Sequence, residues 1–420
     1  MKKLVILGAG TGGTIMVNKL KRALPDQEWD ITIIDKEPVH YYQPGFLFIP
    51  FGAYKERDVI KPKSNFFPSE VNVIYADIDF IDPNQNRIEL ANEKSLTYDY
   101  LIIATGTEIR PDQIEGMEDG LWRSSIFDFY TLDGAKALAR FFETWEGGRL
   151  VVNIAEMPIK CPVAPLEFVF LAEAFFTRKG IRDKVEITLA TPLSGAFTQP
   201  ICNQLLSDTL VDKQIQIEPE FNIGRVDNEA KKIVSWDERE IPFDVLVSIP
   251  TNMGARVFEK SNMGDELNYI PTDRHTLQSV EWSNIFVIGD AADLPSSKAG
   301  SVAHFQSDVL FENFMSVING NEPKAQFDGH TNCFIESGYE KAFLVDFDYD
   351  VQPLPGKYPL PGLGPFALLK ETTLNHFGKL GFRWLYWHMM LKGYKIPVNS
   401  DFSMRGKIVP EEYAKTIPQE

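Results

Sequence analysis

The first 35 residues limit what this chain can fold into more than any other stretch. Lys3 to Leu7 form a short apolar run, Gly8-Ala-Gly10-Thr-Gly-Gly13 follows, and Thr14 to Leu24 has helical periodicity. A second run, Asp30-Ile-Thr-Ile-Ile-Asp35, ends on an acid about 20 residues after the last glycine. Gly8, Gly10 and Gly13 let the backbone turn sharply, close on a pyrophosphate and bring helix against strand. The helix N-terminus offers free N–H groups to phosphate, and Asp35 stands where a ribose hydroxyl is gripped. Glycines alone are a weak signal. Strand, turn, helix, strand and acid in register predict a Rossmann unit that holds a dinucleotide.

A second unit begins the same way and then departs. Gly148 to Glu173 has the rhythm of a buried strand, a turn and a helix, yet no glycine lies between Gly148 and the helix. Cys161 and prolines fill the turn where a pyrophosphate needs glycines, so a nicotinamide dinucleotide has no cradle there. Proline favours the first helical position, so Pro162 puts the Cys161 sulfur near the N-cap and beside Lys160. Free N–H groups, the helix dipole and the lysine would all lower the thiol pKa and make a nucleophile. Pro165 is harmless in a first turn. The alternative is a small thiol packed like alanine. Cys333, in Gly329-His-Thr-Asn-Cys-Phe-Ile-Glu336, has no local signal of reactivity, and Cys202 reads as structural.

Two later segments point to FAD. Tyr100-Leu-Ile-Ile-Ala-Thr105-Gly106 is an apolar strand entering a small-residue turn. Asn284-Ile-Phe-Val-Ile-Gly-Asp290-Ala-Ala-Asp293 is another strand with a carboxylate at its C-terminal edge, where open α/β sheets bind ligands. Asp290 is placed to accept bonds from a ribityl chain. Lys298 and Gly300 follow, at the start of a helix-like stretch from Val302 to Ile318. Lys298 either steadies the charge of a reduced flavin or is a solvated cation.

These stretches together resemble the pyridine nucleotide-disulfide oxidoreductases, and within them the sulfide:quinone oxidoreductases. The chain is also similar to the flavoprotein subunit of flavocytochrome c sulfide dehydrogenase. The matching residues are Gly8 to Gly13, Asp35, Ala104-Thr-Gly106, Cys161-Pro-Val-Ala-Pro-Leu-Glu167, Ile288-Gly-Asp290-Ala, Lys298-Ala-Gly300, Cys333 and an aromatic-basic C-terminus. The resemblance implies a Cys161/Cys333 redox pair. Sulfide would open a bridge between them, leaving a persulfide on Cys333, and two electrons would pass through FAD to quinone. Repetition would build polysulfide or sulfur. Glu167 would orient the flavin or relay protons, unless it is a plain surface glutamate. Two departures stand out. Ser124-Ser-Ile-Phe127 carries phenylalanine where many relatives have a third cysteine. His40-Tyr-Tyr-Gln-Pro-Gly45 lacks the cysteine that tethers flavin in the flavocytochromes, so FAD is expected to be non-covalent.

The expected fold class is α/β, with two Rossmann-like nucleotide-binding domains, the first discontinuous, and a C-terminal amphipathic helical membrane-binding region. Residues 1–110 and 271–330 form the FAD-binding domain, 111–270 the second Rossmann-like domain without a nicotinamide glycine motif, and 331–420 the quinone and membrane region. A chain of 420 residues exceeds one ordinary core. Its net charge of −17 argues against nucleic acid and against purely electrostatic attachment to lipid. No Cys/His spacing suggests a metal. Lys2-Lys3 with five apolar residues is a poor signal peptide, and no apolar run is long enough for a transmembrane helix.

Phe366 to Ile396 is a cationic, aromatic island, with Lys370, Lys379, Arg383, Lys392 and Lys395 against one acid, Glu371. Phe377, Phe382, Trp384, Tyr386, Trp387 and Tyr394 suit a membrane–water interface. The span reads as an interfacial helix pair entered after the break at Pro361-Gly-Leu-Gly-Pro365, making a peripheral (monotopic) membrane protein. Phe366, Phe377, Lys379 and Phe382 are the candidate quinone slot. The rival is a helical hairpin that covers the flavin domain or makes a homo-oligomer. The expected partners are sulfide, membrane quinone and the bilayer surface. Other functions in play are a soluble sulfide dehydrogenase reducing a cytochrome, a type II NADH:quinone reductase, and a non-catalytic flavin-binding protein.

Overall fold

The structure, a computed structural model, describes residues 1–396 and 398–411. Its first sheet is five-stranded and parallel, in the order Ile285–Val287, Tyr100–Ile103, Lys2–Leu7, Trp29–Asp35, Asn72–Tyr75. Leu4 to Leu7, Leu101 to Ile103 and Ile285 to Val287 are fully buried, the continuous apolar runs a sheet covered on both faces requires. The helix Thr11–Ala23 starts where the glycine turn ends, three residues before its predicted first residue. Across the sheet, Ile285–Val287 pairs with Tyr100–Ile103, which pairs with Lys2–Leu7. Residues nearly 300 apart in sequence therefore share one ligand edge.

The second sheet is also parallel, in the order Ile126–Phe127, Val245–Ile249, Gly148–Ile154, Val185–Ala190, Gln216–Glu218. Phe127 is buried in this sheet, 5.2 Å from the Phe141 ring, so it serves as core. Cys202 is buried in the helix Pro200–Asp212, and burial pushes its thiol up to about 12. A two-stranded ribbon, Glu108–Arg110 with Thr251–Met253, joins the two sheet systems.

The C-terminal part differs from the expected helix pair. It contains two β-hairpins, Thr331–Gly338 with Lys341–Phe347 and Gly356–Leu360 with Gly364–Leu368, then one helix, Thr373–Leu385. Pro361 to Gly364 turn a hairpin instead of ending one structure and opening another. The helix runs into a π-turn, Tyr386–Met390, whose Tyr386, Trp387 and Met390 are buried. Two of the six aromatics expected at a membrane thus pack inward: Trp387 stacks on Phe66 at 5.5 Å, and Tyr386 lies 4.9 Å from Tyr42. No helix among the described residues is long and apolar enough to cross a membrane.

Candidate redox site

A trough opens at the C-terminal edge of the first sheet. Its larger part, about 770 Å³, runs from Asp35 and Glu37 past Gly8, Gly10 and Thr11 to Thr105, Gly106 and Thr107. A smaller part, about 200 Å³, shares the Gly10 and Lys160 walls and continues to Cys161, Glu167, Asp290, Lys298, Gly300 and Lys379. A Cβ on Gly8 (φ +91°) would lie 2.4 Å from the Ala104 carbonyl oxygen, and one on Gly13 would lie 1.9 Å from that of Gly8. Only glycine fits either position. A Cβ on Gly10 would meet nothing within 4 Å, and the helix behind it has no side-chain cap. Room, free N–H groups and a positive helix end suit a pyrophosphate. The buried hydroxyls of Thr105 and Thr107 have no partner among the described residues, as expected of groups kept for a ligand. These residues fit a dinucleotide.

The terminal acid behaves less simply. Asp35 accepts the Ala9 N–H at 2.6 Å and the Glu37 N–H at 3.0 Å, and it pairs with Lys63 at 2.6 Å. It braces the glycine turn from beneath, and a ribose would share these oxygens. Lys298 is buried, donating to the Ala292 carbonyl at 2.7 Å with its ammonium 4.0 Å from the Tyr269 ring centre. The solvated-cation alternative is excluded. Burial lowers its pKa, against the pull of Asp290; burial raises that of Asp290, against Lys298 and Lys160.

At the other end of the trough, the helix Ala164–Lys179 has Val163 as its N-cap. Cys161 therefore precedes the cap by two residues, and its φ is +47°. A left-handed cysteine costs on the order of 1–3 kcal/mol and persists where its surroundings over-determine it. Here the Cys161 N–H donates to the Lys298 carbonyl at 2.8 Å, and the Ala164 N–H returns to the Cys161 carbonyl at 2.8 Å. Tyr130 Oη also donates to the Lys160 carbonyl at 2.6 Å. Lys160 Nζ turns to Gln43 Oε1 and the Thr107 carbonyl, both 3.3 Å away.

The cation that serves Cys161 comes from the C-terminal helix. Lys379 pairs with the buried carboxylate of Glu167 and donates to the Phe334 carbonyl at 3.1 Å. Burial pushes the Cys161 thiol well up, Glu167 and Cys333 add to this, and Lys379 opposes it. The predicted thiolate is therefore corrected. The sulfur has slipped off the helix end and lies in the protein, where desolvation outweighs one lysine. Burial lifts Cys333 to about 12, opposed first by the same Lys379. Both thiols are free. Burial also raises the Glu167 carboxyl; it works against the charge of Lys379, which Glu167 and Glu336 nonetheless hold above the ordinary lysine value.

The sequence model of the pyridine nucleotide-disulphide oxidoreductases matches residues 2–142. The mitochondrial sulfide:quinone oxidoreductase of Mus musculus is 27% identical over 399 residues, covering 93% of this chain and 87% of its own. The crystal structure of the sulfide:quinone oxidoreductase from Aquifex aeolicus shares the fold, with a TM-score of 0.78, 20% identity, and 94% and 92% of the two chains covered. In sequence this chain is similar to sulfide:quinone oxidoreductases, and it shares the fold of one. A type II NADH:quinone oxidoreductase of Staphylococcus aureus is 24% identical over 381 residues, covering 85% of this chain and 92% of its own.

Cys161, Glu167 and Lys379 meet at one wall, and Cys333 feels the same charged pair. Glu167 is not a surface residue. Of the four quinone candidates, Lys379 belongs to the cysteine site, Phe366 lies edge-on to Phe334 at 5.4 Å and against Gly378, Phe382 is half-buried near Tyr386, and Phe377 is 58% exposed. Sequence reasoning missed Glu336 and His376. The Glu336 N–H donates to Glu167 at 2.8 Å, and its buried carboxylate meets His376 Nδ1 at 2.9 Å. His376 and Lys379 are three apart on one helix face, a signal that was present but has no family motif around it.

Proposed function

We propose that this protein binds FAD non-covalently in the trough, oxidises sulfide at Cys161 and Cys333, and passes two electrons to a membrane quinone. The observation that carries this reading is the meeting of a strained cysteine with a buried lysine–carboxylate pair where a nicotinamide would otherwise dock. The kinship with proteins named sulfide:quinone oxidoreductase supports the same donor and acceptor. Gly8, Gly10, Gly13, Thr105 and Thr107 would hold the dinucleotide, with Asp290, Lys298 and Gly300 beside its ring. FAD there supplies a two-electron acceptor next to Cys161 and a two-electron donor to quinone.

The residues divide the rest of the work. Hydrogen sulfide attacks a disulfide between Cys161 and Cys333. A sulfur–sulfur bond forms on Cys333 as a persulfide, the bond between the cysteines breaks, and its electron pair leaves on Cys161 as thiolate. Lys379 stabilises that thiolate, an anion that burial alone makes costly. Glu167 takes the proton, since burial makes its carboxylate a better base than an exposed glutamate. Product chain length is set by how much sulfur this wall accommodates before exchange.

The protein attaches to one membrane surface through the outer side of its C-terminal part. Leu374, Phe377 and Trp384 lie on one face of the helix Thr373–Leu385 and are exposed, as are Leu360 and Leu363 at the neighbouring hairpin tip. Apolar groups dipping into lipid beside Lys370 and Arg383 give quinone a route to the interior. The test is sulfide-dependent reduction of a short-chain quinone by purified protein, compared with Cys161→Ser and Cys333→Ser. Both variants should fall at least a hundredfold. Turnover unchanged by either substitution contradicts the cysteine chemistry, and rapid turnover with NADH in place of sulfide contradicts the choice of donor.

A further inference from the structure

The C-terminal helix is fastened to the glycine helix rather than merely packed beside it. Tyr386 Oη, on the π-turn, lies 2.8 Å from Thr11 Oγ1 at the first residue of that helix and 2.7 Å from His40 Nε2. Farther along, Asn18 donates to the Leu391 carbonyl at 3.0 Å, and Arg22 donates to the carbonyls of Lys392 and Gly393 at 2.8 and 2.7 Å. His40 is buried, its Nδ1 makes no hydrogen bond among the described residues, and burial, against the pull of the Ala9 backbone, drops its pKa to about 3. It is therefore a neutral imidazole with one N–H. Thr11 and Tyr386 line the trough beside Gly10, at the end of the glycine helix that carries no side-chain cap.

We infer that His40, Tyr386 and Thr11 form a donor chain that the bound dinucleotide orients and that locks the C-terminal helix onto it. A hydroxyl chain can run in either direction, and an anion at its mouth selects one. His40 Nε2–H then donates to Tyr386 Oη, Tyr386 O–H donates to Thr11 Oγ1, and the Thr11 hydroxyl donates to a phosphate oxygen. His40 cannot take up a proton and break the sequence near neutrality, because burial keeps it neutral. Tyr386 thus acts through Thr11, as a positioning residue supplied by the π-turn that ends the C-terminal helix. The consequence is coupling: the dinucleotide is held more tightly when the C-terminal helix is docked, and the helix docks more firmly when the dinucleotide is bound.

The inference rests on the cofactor part of the proposed function and not on its sulfide chemistry. The test is the rate of flavin release from purified, flavin-loaded protein after dilution, followed by the fluorescence of free flavin. Tyr386→Phe keeps the buried ring and removes only the hydroxyl, and Thr11→Val does the same for the other partner. Each should release flavin about tenfold faster, equivalent to about 1.4 kcal/mol, while Thr11→Ser stays near wild type. The double variant Thr11→Val with Tyr386→Phe should be no faster than either single, because one chain has been broken once. Wild-type release in both single variants overturns the inference, as does a fully additive double variant. Protein that purifies without any flavin, and takes none up, instead contradicts the cofactor reading itself.

Discussion

Cys161 shows how far local rules reach at the scale of a residue. Proline at the first helical position was the expectation for Pro162, and the helix instead begins at Ala164 with Pro165 in its first turn. The shift of two residues removes the sulfur from the helix end and gives it a left-handed backbone held by Lys298. Its chemistry then depends on Lys379, more than 200 residues away, which local sequence could not reveal. Lys379→Met should leave Glu167 buried and unpaired, lowering stability by about 3–5 kcal/mol in denaturant unfolding, and should slow sulfide-driven flavin reduction at least tenfold. A variant with wild-type stability would show that the pair is not the buried ion pair described here.

His40 gives a separate residue-scale prediction. Its folded pKa is about 3 against about 6.5 when unfolded, so the unfolded chain binds the proton first. The stability it contributes is complete above about pH 6.5 and is lost as pH falls toward 3, at up to about 1.4 kcal/mol per pH unit. Denaturant unfolding of wild type and His40→Gln across that window should show this extra slope in wild type alone. Parallel curves would refute the buried, neutral histidine.

At the scale of elements, the strands and the glycine turn were legible because their signals are local. Tyr100–Ile103 falls where the apolar run predicts it, and Lys2–Leu7 differs by one residue. The C-terminal elements were not, because Phe366 to Ile396 mixes aromatic and basic residues without saying which face turns inward. Tyr386 and Trp387 meet Tyr42, Phe66 and His40, partners contributed by the segment between the strands Trp29–Asp35 and Asn72–Tyr75. The helix moreover is short, and hairpins took the place of its expected partner. What stays outside is a coherent apolar set: Leu363 is 81% exposed, Phe377 58% and Trp384 57%. Leu363→Asp with Phe377→Asp should leave Tm within about 2 °C of wild type and abolish co-sedimentation with phospholipid vesicles. Undiminished sedimentation would move the membrane contact elsewhere.

At the scale of the whole molecule, the chain builds its ligand edge from distant pieces. Ile285–Val287 completes the first sheet beside Tyr100–Ile103, which brings Asp290 and Lys298 to the trough opened by Gly8 to Gly13. The sequence disclosed this discontinuity because each piece carries its own strand-and-turn signature. It did not disclose the cluster of Glu167, Lys379, Glu336 and His376, whose members come from a helix, a strand and the last helix, with only His376 and Lys379 sharing a helical spacing. In the proposed function, those four groups with Cys161 and Cys333 make a sulfide site where a nicotinamide would otherwise dock. The most direct test is anaerobic mixing of sulfide with flavin-loaded protein while flavin absorbance is followed in a stopped-flow instrument. Wild type should bleach within seconds, Cys161→Ser should bleach at least a hundredfold more slowly, and NADH should leave the flavin oxidised; bleaching at the wild-type rate in Cys161→Ser would contradict the account.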